Sequence, residues 1–289
     1  MSDRALLARL TVRGARKVPE IIALFWVIKA LSTAMGESTS DYLVHAMSPE
    51  VAVGLGFVGF VAVLAWQLTR RRYEAWPYWL AVVMVGVFGT MAADVLHVGF
   101  GIPYPVTTSF YALVLIAVFA TWQRTERTLS IHSVDTPRRE LFYWAAVVAT
   151  FAMGTALGDF TATTLGLGYL GSGLLFAAVI AVPALGWWRL GWNPIFSFWF
   201  AYVATRPLGA SFADWLGKSK HVGGLGLGDG TVALAFGVAI AALVAYLAAT
   251  RRDVQEEAHP AHAGHVAAQL GHVADHLHQP AEPVPERAD

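Results

Sequence analysis

Apolar runs long enough to cross a bilayer alternate along this chain with short polar connections. Runs of 18 or more largely apolar residues mark transmembrane helix candidates. Eight are read, at about 19–43, 51–69, 77–99, 105–123, 141–163, 168–188, 195–216 and 231–249. The pattern predicts an all-α fold, a polytopic membrane bundle of eight transmembrane helices. One signature recurs inside it at fixed spacing: an aromatic residue, Trp, nine residues, Gly, four residues, Asp. The copies are Phe25-Trp26…Gly36…Asp41, Tyr78-Trp79…Gly89…Asp94, Tyr143-Trp144…Gly154…Asp159 and Phe198-Trp199…Gly209…Asp214. With 27 glycines and ten aspartates in 289 residues, four such matches among eleven tryptophans are not coincidence. Self-similarity at a fixed spacing marks a repeat architecture.

Each repeat reads as one motif helix followed by a plainer apolar helix. Two spans per unit bring every motif helix in from the same side, so the repeats are four parallel helical hairpins about an axis along the membrane normal. The expected division is a basic N-terminus at 1–17, repeats at 18–75, 76–140, 141–193 and 194–250, and a His-rich tail at 251–289. Two readings are open for Trp26, Trp79, Trp144 and Trp199. They are belt residues at the membrane interface, or wedges between neighbouring hairpins. Gly36, Gly89, Gly154 and Gly209 fit close helix approach, the use small residues have in membranes. From Trp to Asp is about 22 Å of rise with about 60° of net rotation. The four aspartates therefore lie at one depth, where an ionisable group is by default a functional hypothesis.

Composition agrees with the pattern. The chain is 56% hydrophobic and 14% charged, against about 25% charged in soluble domains. With no cysteine, disulfides, thiolate metal sites and cysteine nucleophiles are excluded. The formal net charge of zero conceals an asymmetry. Arg70, Arg71, Arg72, Arg124, Arg127, Arg138, Arg139, Arg189, Arg251 and Arg252 fall at one set of connections. On the opposite side only 217–230 carries lysine, at Lys218 and Lys220. The positive-inside rule then makes both termini cytoplasmic, and the basic start of the chain does not read as a cleavable signal. No His-Glu-x-x-His helix and no Gly-x-Ser-x-Gly elbow is present, so no enzyme is expected. Nor is a nucleic-acid partner; the expected partners are the bilayer, a metal ion and protons.

Differences among the repeats carry the candidate chemistry. Glu37 and Asp41 stand at i, i+4 on one helix face. With Thr33, Ser38 and Thr39 they make an oxygen-rich set of the kind hard divalent cations prefer. Asp94, Asp159 and Asp214 join them as candidate cation ligands. His97, three residues after Asp94, and Thr155 are supporting polar groups. Lys29 and Arg206 lie within apolar motif helices as candidate counter-charges, because intramembrane charges usually pair. The glycine-rich segments 166–171 and 223–228 read as flexible outer loops or helix starts. In the tail, His272 and His276 have the i, i+4 spacing of a first-row metal pair; a solvated tail that binds metal adventitiously is the alternative.

The fourfold copy number, two spans per copy and recurring Trp together resemble a bacterial membrane family. It is built from four tandem repeats of unknown function, and its members are usually labelled uncharacterised membrane-anchored proteins. The resemblance covers about 18–250. It implies the architecture and a bacterial plasma-membrane location, and no activity. The chemistry leads to the expectation of a secondary transporter of a manganese-like divalent cation, exported against protons, with the ion as substrate and no permanently bound cofactor. A proton or monovalent-cation pathway, and a structural or regulatory membrane protein without transport, are the alternatives.

Overall fold

The computed structural model describes residues 16–254, which belong to one compact unit. His272 and His276 lie outside the described residues. Eight long helices account for most of them: α1 (Ala23–Ala46), α2 (Pro49–Thr69), α3 (Ala75–Asp94), α4 (Tyr104–Glu126), α5 (Pro137–Asp159), α6 (Gly168–Leu190), α7 (Pro194–Gly217) and α8 (Asp229–Thr250). No strand occurs among the described residues. Five-residue π turns, Val95–Gly99 and Phe160–Thr164, extend α3 and α5 directly beyond Asp94 and Asp159.

Six helices are long and apolar enough to cross a membrane by length and composition. The other two, α1 and α7, have 24 residues each. They differ in carrying Lys29, Glu37 and Asp41, and Arg206 and Asp214, all of them buried. Their polarity is turned into the protein. Outward, α2, α4, α6 and α8 present large exposed side chains such as Val58, Leu113, Ile116, Leu174, Leu234 and Val238. Apolar surface on that scale does not belong on a water-facing protein. This is a helical membrane protein.

The helices form two layers. The motif helices α1, α3, α5 and α7 make an inner ring, each packed on the next, with α7 closing back on α1. In the apolar windows of α3 and α5, 61% and 72% of residues are buried, against 17% in α2 and 22% in α8. The outer helices do not chiefly cover the motif helix of their own repeat, as a hairpin reading predicts. Instead α2 lies on α3, α4 on α5 and α6 on α7, while α8 returns from the end of the chain to cover α1. Each outer helix thus belongs structurally to the following repeat.

The signature residues explain the ring. Phe25 meets Trp79 (ring centroids 5.5 Å apart), Tyr78 meets Trp144 (5.6 Å), Tyr143 meets Trp199 (6.2 Å) and Phe198 meets Trp26 (5.7 Å). The aromatic of each repeat touches the Trp of the next, and the fourth touches the first. Trp79, Trp144 and Trp199 are buried, which excludes the belt reading for those three and supports the wedge. Trp26 alone is half-buried.

The glycines repeat the same cyclic step one layer deeper. A Cβ on Gly36 would lie 2.7 Å from the Gly86 backbone; on Gly89, 2.9 Å from Phe151 Cβ; on Gly154, 3.0 Å from Pro207 Cδ and overlapping Arg206; on Gly209, 2.7 Å from Thr33 Cβ. Gly86, Phe151, Arg206 and Thr33 share one register, seven residues after their own Trp. With lipid outside, helices gain little from hydrophobic exclusion and associate through close packing. The glycines set that spacing.

Gly36→Leu should therefore cost at least about 2 kcal/mol through overpacking, despite leucine's better helix propensity. Gly54→Leu, on α2 with open space around it, should be neutral or mildly stabilising. Thermal unfolding in detergent compares them; equal behaviour would remove the glycines from the ring's packing.

Candidate cation site

Inside the ring the four copies diverge, and the divergence builds a polar core. Arg206 projects from α7 and is fully buried. Its Nη2 donates to Glu37 Oε2 on α1 (2.6 Å), to Thr155 Oγ1 on α5 (2.6 Å) and to the Thr90 hydroxyl on α3. Its Nη1 donates to the Thr33 carbonyl (3.1 Å). Glu37, Thr90 and Thr155 each stand eleven residues after their Trp; the equivalent residue on α7 itself is Ala210. One guanidinium from the fourth repeat thus binds the same register position of the other three. The Thr90 hydroxyl lies 3.2 Å from Glu37 Oε2. Phe151 sits beneath, its ring centroid 5.1 Å from the guanidinium carbon.

Lys29 behaves differently. It is fully buried on α1 with its Nζ 4.3 Å from the ring centroids of both Phe151 and Tyr202. Its ammonium has no hydrogen-bond partner among the described residues. The expectation that Lys29 pairs with a carboxylate is corrected: two aromatic faces hold it, through cation–π attraction.

Towards the acidic end, Glu37, Asp41 and Asp214 each bring one carboxylate oxygen within 4.8 Å of the other two. Lys218 enters this group from the residue after α7, its Nζ 2.5 Å from Asp41 Oδ2 and 3.8 Å from Asp214 Oδ1. Burial alone would lower the Lys218 pKa, but Asp41 and Asp214 outweigh it and raise the pKa above the ordinary lysine value. The glycine-rich segment fixes this lysine. Leu225, Gly226, Leu227 and Gly228 donate backbone N–H groups to the carbonyls of Trp215, Lys218, Leu216 and Gly217. They satisfy the carbonyls that a helix C-terminus leaves open. Gly226 and Gly228 have φ of 78° and 82°, and a Cβ on Gly224 would strike the Lys218 carbonyl. The segment is a strap over α7 rather than a free loop.

The five sequence-predicted ligands do not meet as one set. Asp94 and Asp159 end α3 and α5 and are half-buried. They lie within electrostatic range of Glu37 and Asp41 but outside the close three-oxygen group. His97 is turned into its own connection, with Nδ1 2.8 Å from the Ile102 carbonyl and its ring stacked on Tyr104. Thr33 Oγ1 donates to its own helix at Ala30 O (2.6 Å). The hydroxyls of Ser38 and Thr39 are buried without a hydrogen-bond partner among the described residues. Thr90 is not singled out in the sequence, and Lys218 stands there only as a loop cation, not as part of the site. Aligning the copies at the eleventh position after Trp finds Thr90 beside Glu37 and Thr155, and the i, i+4 spacing from Asp214 points to Lys218.

A symmetric inner ring with an asymmetric buried ionic core defines a repeat-built helical membrane protein. The family model described as Repeat of Unknown Function (DUF347) matches four times, at residues 24–73, 77–128, 142–191 and 197–253. The chain belongs to that family. No curated protein and no solved structure matches it.

Because Arg206 neutralises Glu37 out of reach of water, Arg206→Gln should destabilise the protein by about 3–5 kcal/mol, the usual cost of stranding one buried charge. Adding Glu37→Gln should restore most of that loss. A double-mutant cycle on thermal unfolding checks it, and additive losses would show that the pair is not coupled.

Proposed function

We propose that the protein is a secondary transporter of a divalent cation of manganese type, moved out of the cell in exchange for protons. The charge balance of the inner bundle carries this reading. Five carboxylates (Glu37, Asp41, Asp94, Asp159 and Asp214) outnumber the basic groups of the inner bundle (Lys29, Arg206 and Lys218). Lys29 sits between aromatic rings rather than on a carboxylate, and Asp229 also acts on Lys218. Like charges gathered in a low-dielectric interior are costly unless neutralised. A bound dication or added protons would offset the excess, and alternation between these states is what proton-coupled exchange requires.

The close three-oxygen group favours a metal as one of the two states. Oxygens within 4.8 Å of one another need little movement to share an ion whose bonds run about 2.3–2.6 Å. The donors are all oxygen, which suits magnesium, calcium or manganese rather than thiophilic metals. The Lys218 ammonium stands in the ion's place and has to withdraw as the ion binds. Arg206 closes the path on the other side, and the aromatic ring lies beyond it. All eight long helices cross the bilayer in this reading, four motif helices run in parallel, and both termini lie in the cytoplasm by the positive-inside rule. Alternating access is then a rocking of repeats about a central site.

The same charge excess supports a second reading, a proton pathway in which the carboxylates titrate without holding metal. Purified protein in liposomes with an imposed pH gradient separates the two across a panel of manganese, magnesium, calcium, zinc and sodium ions. Wild type should move at least one divalent cation with proton counterflow. Asp214→Asn should cut that flux at least about tenfold, the equivalent of about 1.4 kcal/mol, in protein that still unfolds cooperatively. A pH-driven current indifferent to every divalent ion would select the proton pathway; no flux of either kind would leave a structural role.

A further inference from the structure

A cleft of about 760 Å³ opens between the outer helices α4 and α6, with α5 and α7 as its floor. That volume is within the usual range of small-molecule sites. Along the bundle the cleft runs from Asn193 and Ile195 at the basic end to Pro207 in the middle of α7. Twelve residues of helix separate the last two, about 18 Å of rise. That is close to the depth of one leaflet's hydrocarbon, half of about 30 Å. The walls are apolar throughout this depth, with Phe119 from α4, Leu157 from α5, Val179 from α6 and Val203 from α7.

Polar groups gather only at the basic mouth, and each keeps bonding capacity. Asn193 spends its Oδ1 capping α7 at Ile195 N and Phe196 N, which leaves the amide NH2 to donate. Thr128 Oγ1 accepts from Ser130 N (3.1 Å), leaving its hydroxyl proton. Gln123 lies beside them. Arg127 is exposed and has no ion pair among the described residues, whereas nearby Arg138 and Arg139 are both bound to Glu126. An unmatched guanidinium with neutral donors therefore tops an apolar slot one leaflet deep.

We propose that this cleft is a binding site for one anionic phospholipid of the leaflet at the basic end. Its alkyl chain lies between α4 and α6 and its phosphate is met by Arg127, Thr128 and Asn193. Basic pockets between membrane helices select anionic headgroups in this way. The alkyl chain reaches Pro207, the neighbour of Arg206, so the lipid contacts the helix that carries the central guanidinium. This assignment is independent of what the protein transports.

The test uses full-length protein purified in detergent, delipidated, and supplied with phosphatidylglycerol, with phosphatidylcholine of the same chains, or with inorganic phosphate. Native mass spectrometry reads retained lipid and thermal unfolding reads stabilisation. Wild type should retain phosphatidylglycerol about 5-fold better than phosphatidylcholine, the worth of one surface arginine against an anionic headgroup, and phosphate alone should do nothing. Arg127→Gln should erase the preference while still retaining alkyl chains. Val179→Trp, which fills the slot, should lose both lipids. Equal retention of the two lipids by wild type, stabilisation by phosphate alone, or an undiminished preference in Arg127→Gln would overturn the proposal. The arginine variant is on the surface, so the headgroup assignment is decided even if the tryptophan variant fails to fold.

Discussion

The buried Arg206–Glu37 pair is the constraint around which the bundle is arranged. A guanidinium inside a membrane protein is tolerated only with acceptors around it. Here three helices supply acceptors to its two terminal nitrogens, in a carboxylate, two hydroxyls and a backbone carbonyl, while Nε has no partner among the described residues. The three side-chain acceptors sit at one register position of three repeats, so the arginine helps to fix the relative height of the motif helices. The glycines bring the helices close enough for one side chain to reach all of them. The aromatic ring holds the basic end at matching spacing. If the pair were replaced by apolar groups, the aromatic and glycine contacts would still set the register, but the ionic link that ties α1 to α7 at the bundle centre would be lost.

Symmetry and its breaking divide the labour. The Trp and the Gly are the same in all four copies, the residue before the Trp is always Phe or Tyr, and these positions make the same cyclic contact four times. Positions seven and eleven after Trp, by contrast, hold Thr33, Gly86, Phe151 and Arg206, and Glu37, Thr90, Thr155 and Ala210. A strictly symmetric bundle would set four identical charges against one another on its axis. Divergence places a cation and an anion there, with hydroxyls filling the remaining places.

Much of this was legible in the sequence, and the limits have physical causes. Apolar length located all eight helices to within a few residues, and six of them are long and apolar enough to cross a membrane. The fixed spacing identified the packing residues. It did not show that three of the tryptophans are buried, since belt and wedge residues share one composition at one depth. Nor could periodicity show that outer helices cover the next repeat, because chain order implies a hairpin and only packing reveals the exchange. The site was half visible. Glu37, Asp41 and Asp214 converge, whereas Asp94 and Asp159 stand at the helix ends where the π turns begin. Lys29 looks like a counter-charge in sequence; its aromatic neighbours come from other repeats and cannot be read from its own helix.

The return of α8 to α1 has a consequence for how the protein is made. The helix that carries Glu37 precedes the other seven long helices, yet the arginine that pairs with Glu37 follows 169 residues later, and the helix that covers α1 comes after that. Contacts so distant along the chain are formed late. Until Arg206 and Lys218 are made, Glu37 and Asp41 on α1 lack the cations that bind them in the finished protein. Of the eight long helices, the earliest is the last to complete its contacts.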